Sequence, residues 1–121
     1  MVGNVIWVAL GSAVGGVLRY GVSLGLATRG AFPLGTLTVN VVGSLAIGVL
    51  SGLLSRGGAH AEAIRAFAVV GLCGGFTTFS TFSNDLFRLF ESGRYGLGAA
   101  YAALSLLGGL IAVLAGYALS R

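Results

Sequence analysis

Lysine is absent from this 121-residue chain, and histidine, cysteine, proline and tryptophan occur once each. Charged residues make up 8%, against about 25% in an ordinary soluble domain. The acids are Glu62, Asp85 and Glu91 alone. A single cysteine, Cys73, rules out an intrachain disulfide and leaves the redox compartment open. One histidine, one cysteine and three scattered acids supply neither a metal-ligand spacing nor a nucleophile with its base, so no enzyme is expected. His60 reads as a solvated loop residue and Cys73 as a packing residue. The formal charge of +4 comes from seven arginines, most of them at the ends of apolar runs where lipid headgroups lie, and nucleic-acid binding is not expected.

What the chain has in abundance is apolar sequence: 56% of its residues are hydrophobic and its mean hydropathy is +0.98. Four apolar runs, approximately 5–27, 33–54, 63–90 and 95–119, each reach the roughly 20 residues that a helix needs to cross about 30 Å of hydrocarbon. The expected fold is an all-α membrane protein with one domain, 1–121, of four transmembrane helices. The first run lacks a basic leader and is long enough to span, so it reads as a retained helix rather than a cleaved signal.

Short connections and an even number of spans place both termini on one side. Arg56, Arg65 and Arg121 then share that side, Arg29, Arg88 and Arg94 take the other, and Arg19 falls inside the first helix. Orientation follows from an excess of positive charge on one side; equal counts predict a chain that inserts both ways. Two opposed copies would form the inverted repeat that many transport proteins encode in one longer chain. Glycines at helix-pair spacing, Gly11 with Gly15, Gly21 with Gly25 and Gly48 with Gly52, predict close backbone packing in lipid.

The densest motif is GGFTTFSTFSND, residues 74–85. Gly71, Gly74 and Gly75 weaken the third helix midway, since glycine costs about 1 kcal/mol per residue in a helix interior relative to alanine. A break there would free carbonyls that only protein, water or an ion can satisfy at membrane depth; close packing is the other use of such glycines. Phe76, Phe79 and Phe82 recur at helical spacing among Thr77, Thr78, Ser80, Thr81 and Ser83. Positive ring edges beside hydroxyl donors suit the escort of a small anion, while packing is the plainer reading of such aromatics. The seven polar residues among those twelve require that one face meet a pore or a partner. Thr36, Asn40 and Ser44 form a stripe on the second helix, and Tyr101 and Ser105 share a face of the fourth. Asn40 serves either as helix glue or as a pore donor. Arg19 either reaches a headgroup or lines an anion vestibule, and Asp85 either pairs with an arginine across the dimer or caps the cation region.

These residues together closely resemble the Fluc/CrcB family of fluoride channels, over essentially the whole length: GGVLRY in the first helix, PLGTLTVNVVGS opening the second, GLCGGFTTFSTFSND in the third, and Tyr101 with Ser105 in the fourth. The resemblance implies an antiparallel, dual-topology homodimer with two fluoride pores, the third helix broken near Gly74–Thr78, in a prokaryotic cytoplasmic (inner) membrane. It implies a structural sodium ion at the dimer centre, held by the backbone carbonyls of Gly74 and Thr77. Phe79 and Phe82 would line the fluoride path with Asn40, Ser80, Thr81, Tyr101 and Ser105, and Arg19 would be the vestibule arginine. The sequence departs from the family at Gly109, where a hydroxyl track would continue, and at Asp85, where a glutamate is common. A small dual-topology drug and proton antiporter has similar size but needs a carboxylate in its first helix, which here holds Arg19 and no acid. A non-transporting assembly subunit would leave the polar stripes unexplained.

Reporter fusions at the C-terminus are expected to signal on both sides of the membrane; signal from one side alone would refute dual insertion.

Overall fold

The computed structural model describes residues 2–26 and 32–121; Ala27 and most of the first connection, with Arg29, lie outside the described residues. The described elements are all helical: α1 (Val2–Leu26), α2 (Leu34–Leu54), α3 (Ala61–Ile64), a π-helical stretch (Arg65–Cys73), α4 (Gly74–Phe76), α5 (Phe79–Glu91) and α6 (Tyr95–Ser120). They make four spans, because α3 to α5 form one interrupted apolar segment, Ala61–Glu91. Even the shortest, α2 with 21 residues, is roughly 31 Å long at about 1.5 Å per residue, enough to cross the hydrocarbon layer.

Lipid tails are as apolar as leucine, so the helices associate through close approach rather than hydrophobic drive. α2 lies along α6, and α1 lies along the first half of the third span. Glycines set both distances. A side-chain carbon on Gly11 would collide with the Phe67 carbonyl, and one on Gly15 with the Leu72 carbonyl; on the opposing helix, one on Gly75 would stand 2.8 Å from the Ser12 carbonyl oxygen. Across the other interface, Gly48 meets the Val113 carbonyl and Gly52 the Ser120 hydroxyl with no room for a Cβ. Gly21 and Gly25, the remaining pair expected to pack, face open space within this chain. Outward positions such as Val17, Leu24 and Ile111 are exposed, as a lipid-facing surface requires.

The π-helical stretch has no sequence signal. It lies where the third span crosses Gly11 of α1, and wider turns of this kind concentrate at functional sites. At the far end of α5, the chain reverses through Gly93 at φ +80°. The Gly93 N–H donates to Phe90 O and the Arg94 N–H to Leu89 O, at 3.1 and 2.8 Å. These two bonds close a Schellman motif that satisfies the last carbonyls of α5 and starts α6 one residue later. The largest buried cluster sits beside this hairpin, with Phe82, Leu89 and Tyr101 at its heart and Phe32, Leu37 and Leu86 around it.

Gly15→Ala is expected to cost about 1–3 kcal/mol through overpacking, lowering the unfolding midpoint in mild detergent. Gly16→Ala, where a Cβ meets nothing within 4 Å, should leave it unchanged; equal midpoints for the two would contradict the backbone-contact account.

Candidate functional site

The third span is interrupted at Thr77 and Thr78, whose backbones are extended (φ −89°, ψ 158° and φ −155°, ψ 128°). The glycines that were expected to break the helix remain within it: Gly74 and Gly75 are helical in α4. Gly75 abuts α1, so tight packing is its use. The interruption comes two residues later, where Thr77 closes one helix and Thr78 opens the next. Thr78 was not singled out as a cap, yet it sits three residues before Thr81 in the manner of an N-cap, and its Oγ1 accepts the Thr81 N–H at 3.4 Å.

An extended pair of residues inside a span exposes peptide groups that hydrocarbon cannot solvate. Three side chains meet that demand. Asn40 on α2 pairs with Thr78 as one peptide group pairs with another: its Nδ2 donates to Thr78 O at 3.2 Å, and the Thr78 N–H donates to its Oδ1 at 2.9 Å. Arg19 on α1 turns toward the break, its Nε donating to Gly75 O at 3.1 Å. The Thr77 hydroxyl donates to Cys73 O at 3.0 Å, beside the backbone N–H of the same residue at 2.9 Å. The Thr78 N–H, which would have served the Gly74 carbonyl in an unbroken helix, is thus engaged by Asn40. The Thr81 N–H, which would have served Thr77, is taken by Thr78. Gly75 O is served by Arg19, and the carbonyls of Gly74, Phe76 and Thr77 are left without their helical donors. Among the described residues no three His, Cys, Asp or Glu side chains come together to hold a metal ion.

The break also separates the three phenylalanines. Phe76 precedes it and packs beside Gly43 of α2, whereas Phe79 and Phe82 both lie on α5 with ring centroids 5.9 Å apart and planes at 44°. The expected single face of three rings is therefore reduced to two, because residues 77 and 78 advance as strand rather than helix. Phe82 is buried and Phe79 is 75% exposed. Both border a cavity of about 240 Å³ with Asn40, Ser44, Thr78 and Ser105. The Ser105 hydroxyl is buried there without a hydrogen-bond partner. A Cβ on Gly109 would stand 3.4 Å from Ser44 Oγ, so the hydroxyl of Ser44 flanks the position where a track hydroxyl is missing.

A larger cavity of about 600 Å³ lies one helical turn away, lined by Thr36, Thr81 and Asp85 among others. Thr36 and Asn40 are successive turns of α2, as are Thr81 and Thr78 at the start of α5. Phe82, which borders the inner cavity, packs on Tyr101 with ring centroids 5.2 Å apart. Tyr101 is fully buried, and its hydroxyl donates to Asp85 Oδ2 at 3.1 Å. Within the chain, Asp85 therefore meets a tyrosine. Ser80 is exposed and lines neither cavity.

The family described as CrcB-like protein, Camphor Resistance (CrcB), matches residues 6–117. The chain belongs to the CrcB family. A protein of Agrobacterium fabrum named fluoride-specific ion channel FluC is 49% identical over 121 residues, spanning 98% of this chain and 96% of that protein. Proteins of the same name from Rhodospirillum centenum and Chloroflexus aurantiacus are 48% and 45% identical, each over at least 97% of this chain and 94% of their own. The CrcB region of this chain contains the break, its three clamping side chains and both cavities.

Asn40→Leu is expected to lower stability by about 2 kcal/mol, since it leaves a donor and an acceptor of Thr78 unpaired. Asn40→Asp, which can still accept the Thr78 N–H, should lose less. The order of unfolding midpoints in detergent micelles checks this, and equal losses would contradict the two-bond account.

Proposed function

We propose that this CrcB-family chain is a fluoride-selective channel that passively exports F⁻ across the cytoplasmic membrane of a prokaryote. The observation that carries the reading is the inner cavity beside the helix break, where neutral donors and two phenyl rings converge in a chain nearly half identical to proteins named fluoride-specific channels. Asn40 carries two hydrogens on Nδ2 and gives one to Thr78; the other can face an anion. The partnerless Ser105 hydroxyl offers a second donor, and the ring edges of Phe79 and Phe82 present their positive rims. Fluoride is small and strongly hydrated, so it enters only where close donors replace its water. A larger halide fits such a path poorly. Membrane potential drives the export, and the path requires no titrating catalytic group.

The working unit in this reading is an antiparallel, dual-topology homodimer. Its support is the balanced arginine count and the exposed polar face of α5, where Ser80, Ser83 and Asn84 would face hydrocarbon in a lone subunit. The same copy would cover Phe79. In this assembly Ser80 would reach the path from the dimer side, and Arg19, held at the break, would give the vestibule its positive charge. A sodium ion fits the carbonyls of Gly74 and Thr77, since hard oxygen donors suit such an ion and the break has removed their helical donors; a second copy would double the set. When bound, the ion would supply fixed positive charge that holds two subunits together at their breaks. The bacterial relatives support the location in an inner membrane.

The antiporter alternative is not favoured, because α1 holds no acid to exchange protons for a cation. Purified protein in liposomes, with valinomycin setting the potential, is expected to release fluoride and retain chloride. Phe79→Ile should slow fluoride release at least tenfold while leaving the oligomer intact. Release of both halides, or of neither by a folded oligomer, would overturn the reading.

A further inference from the structure

The outer cavity has a polarity that the pathway residues do not explain. Of its charged lining, Arg88 and Arg94 are two cations against the single carboxylate Asp85, and that carboxylate already accepts the Tyr101 hydroxyl. Thr36, Thr81 and Ser23 add hydroxyls. Both arginines are exposed, so neither is needed to fill the core. Their relative position is nevertheless fixed. Arg88 stands in the last turn of α5, where a cation complements the helix dipole. Arg94 follows the Schellman turn at Gly93 and caps the start of α6.

We infer that Arg88 and Arg94 form an anion-collecting mouth, a site upstream of the Phe82 and Tyr101 pair that concentrates small inorganic anions before they reach the inner donors. The inference rests on the channel reading above. Its structural basis is continuity: Thr36 of the outer cavity and Asn40 of the inner one are one turn apart on α2, and Thr81 of the outer cavity lies in the first turn of α5, whose N-cap Thr78 lines the inner one. An anion drawn to the two guanidinium groups therefore meets the threonine hydroxyls next, then the aromatic pair. Arginine suits the task because its charge is permanent and it is weakly hydrated. Two positive charges in a low-dielectric cleft raise the local anion concentration and the encounter rate, by factors of about 10 to 1,000 in known cases of steering. Such steering is screened as the Debye length falls from about 30 Å at 0.01 M salt to about 3 Å at 1 M.

The test is the fluoride current of the full-length protein in planar bilayers, at fixed low fluoride and with ionic strength set by sodium gluconate. The double variant R88Q/R94Q is expected to carry roughly tenfold less current than the unmodified protein at about 0.01 M salt and to converge with it near 1 M, as screening removes the steering. R94E should depress the low-salt current further. Arg56→Glu, an equal change of two charge units in the α2–α3 connection, should leave the salt dependence as it was. A loss of current that is equal at both salt concentrations would assign the arginines a structural role and overturn the mouth. Unchanged current would overturn it as well. Absence of fluoride current in the unmodified protein would instead bring down the channel reading on which the inference rests.

Discussion

The reciprocal pair between the Asn40 amide and the Thr78 backbone is the interaction on which the site depends. A helix cannot stop in hydrocarbon unless something replaces the peptide partners it gives up. A primary amide is the side chain best matched to that need, because it presents one donor and one acceptor in the same geometry as a peptide group. With Thr78 held by α2 and Gly75 held by Arg19 of α1, the two halves of the third span are joined to different helices. The break is thereby a fixed angle in the structure. Phe79 and Phe82 are placed relative to it, since both lie on α5, which begins directly after the break.

The second constraint is the glycine contacts. Where Gly11, Gly15, Gly48 and Gly52 let backbones touch, helices cannot slide past one another without collision with a carbonyl. These contacts hold α1 on the first half of the third span and α2 on α6, and so set where Arg19 and Asn40 reach. α5 is anchored chiefly by the Phe82, Leu89 and Tyr101 cluster and by the Tyr101 to Asp85 bond. The aromatic cluster is therefore the packing core of the hairpin, and it touches both cavities, through Phe82 on the inner one and Leu89 on the outer.

The four spans were legible in the sequence because each apolar run exceeds the membrane thickness, a signal that needs no tertiary context. Asn40, Phe79, Phe82, Tyr101 and Ser105 stood out for a similar reason: polar or aromatic residues at helical spacing are conspicuous in an apolar background. The break falls within the stretch Gly74–Thr78 that the family resemblance implied, but which residues in it leave the helix was not legible from local propensity. Local propensity pointed to Gly74 and Gly75, but a tertiary partner on α2 decides which peptide groups can be spared, and that partner acts at Thr78. The loss of Phe76 from the aromatic face follows from the same displacement. The π-helical stretch left no trace in composition, since it is fixed by how α1 and the third span meet. Arg88 and Arg94 looked like ordinary helix-end charges until the Gly93 turn brought them to one cavity.

The groups that hold the break share a chemical property. An amide, two hydroxyls and a guanidinium do not change protonation across the range of pH that a cell meets, and the lone histidine, His60, is exposed in the α2–α3 connection. Acid that floods the outside of a cell would protonate fluoride itself and leave the frame around Thr77 and Thr78 untouched. The frame is thus indifferent to acidity.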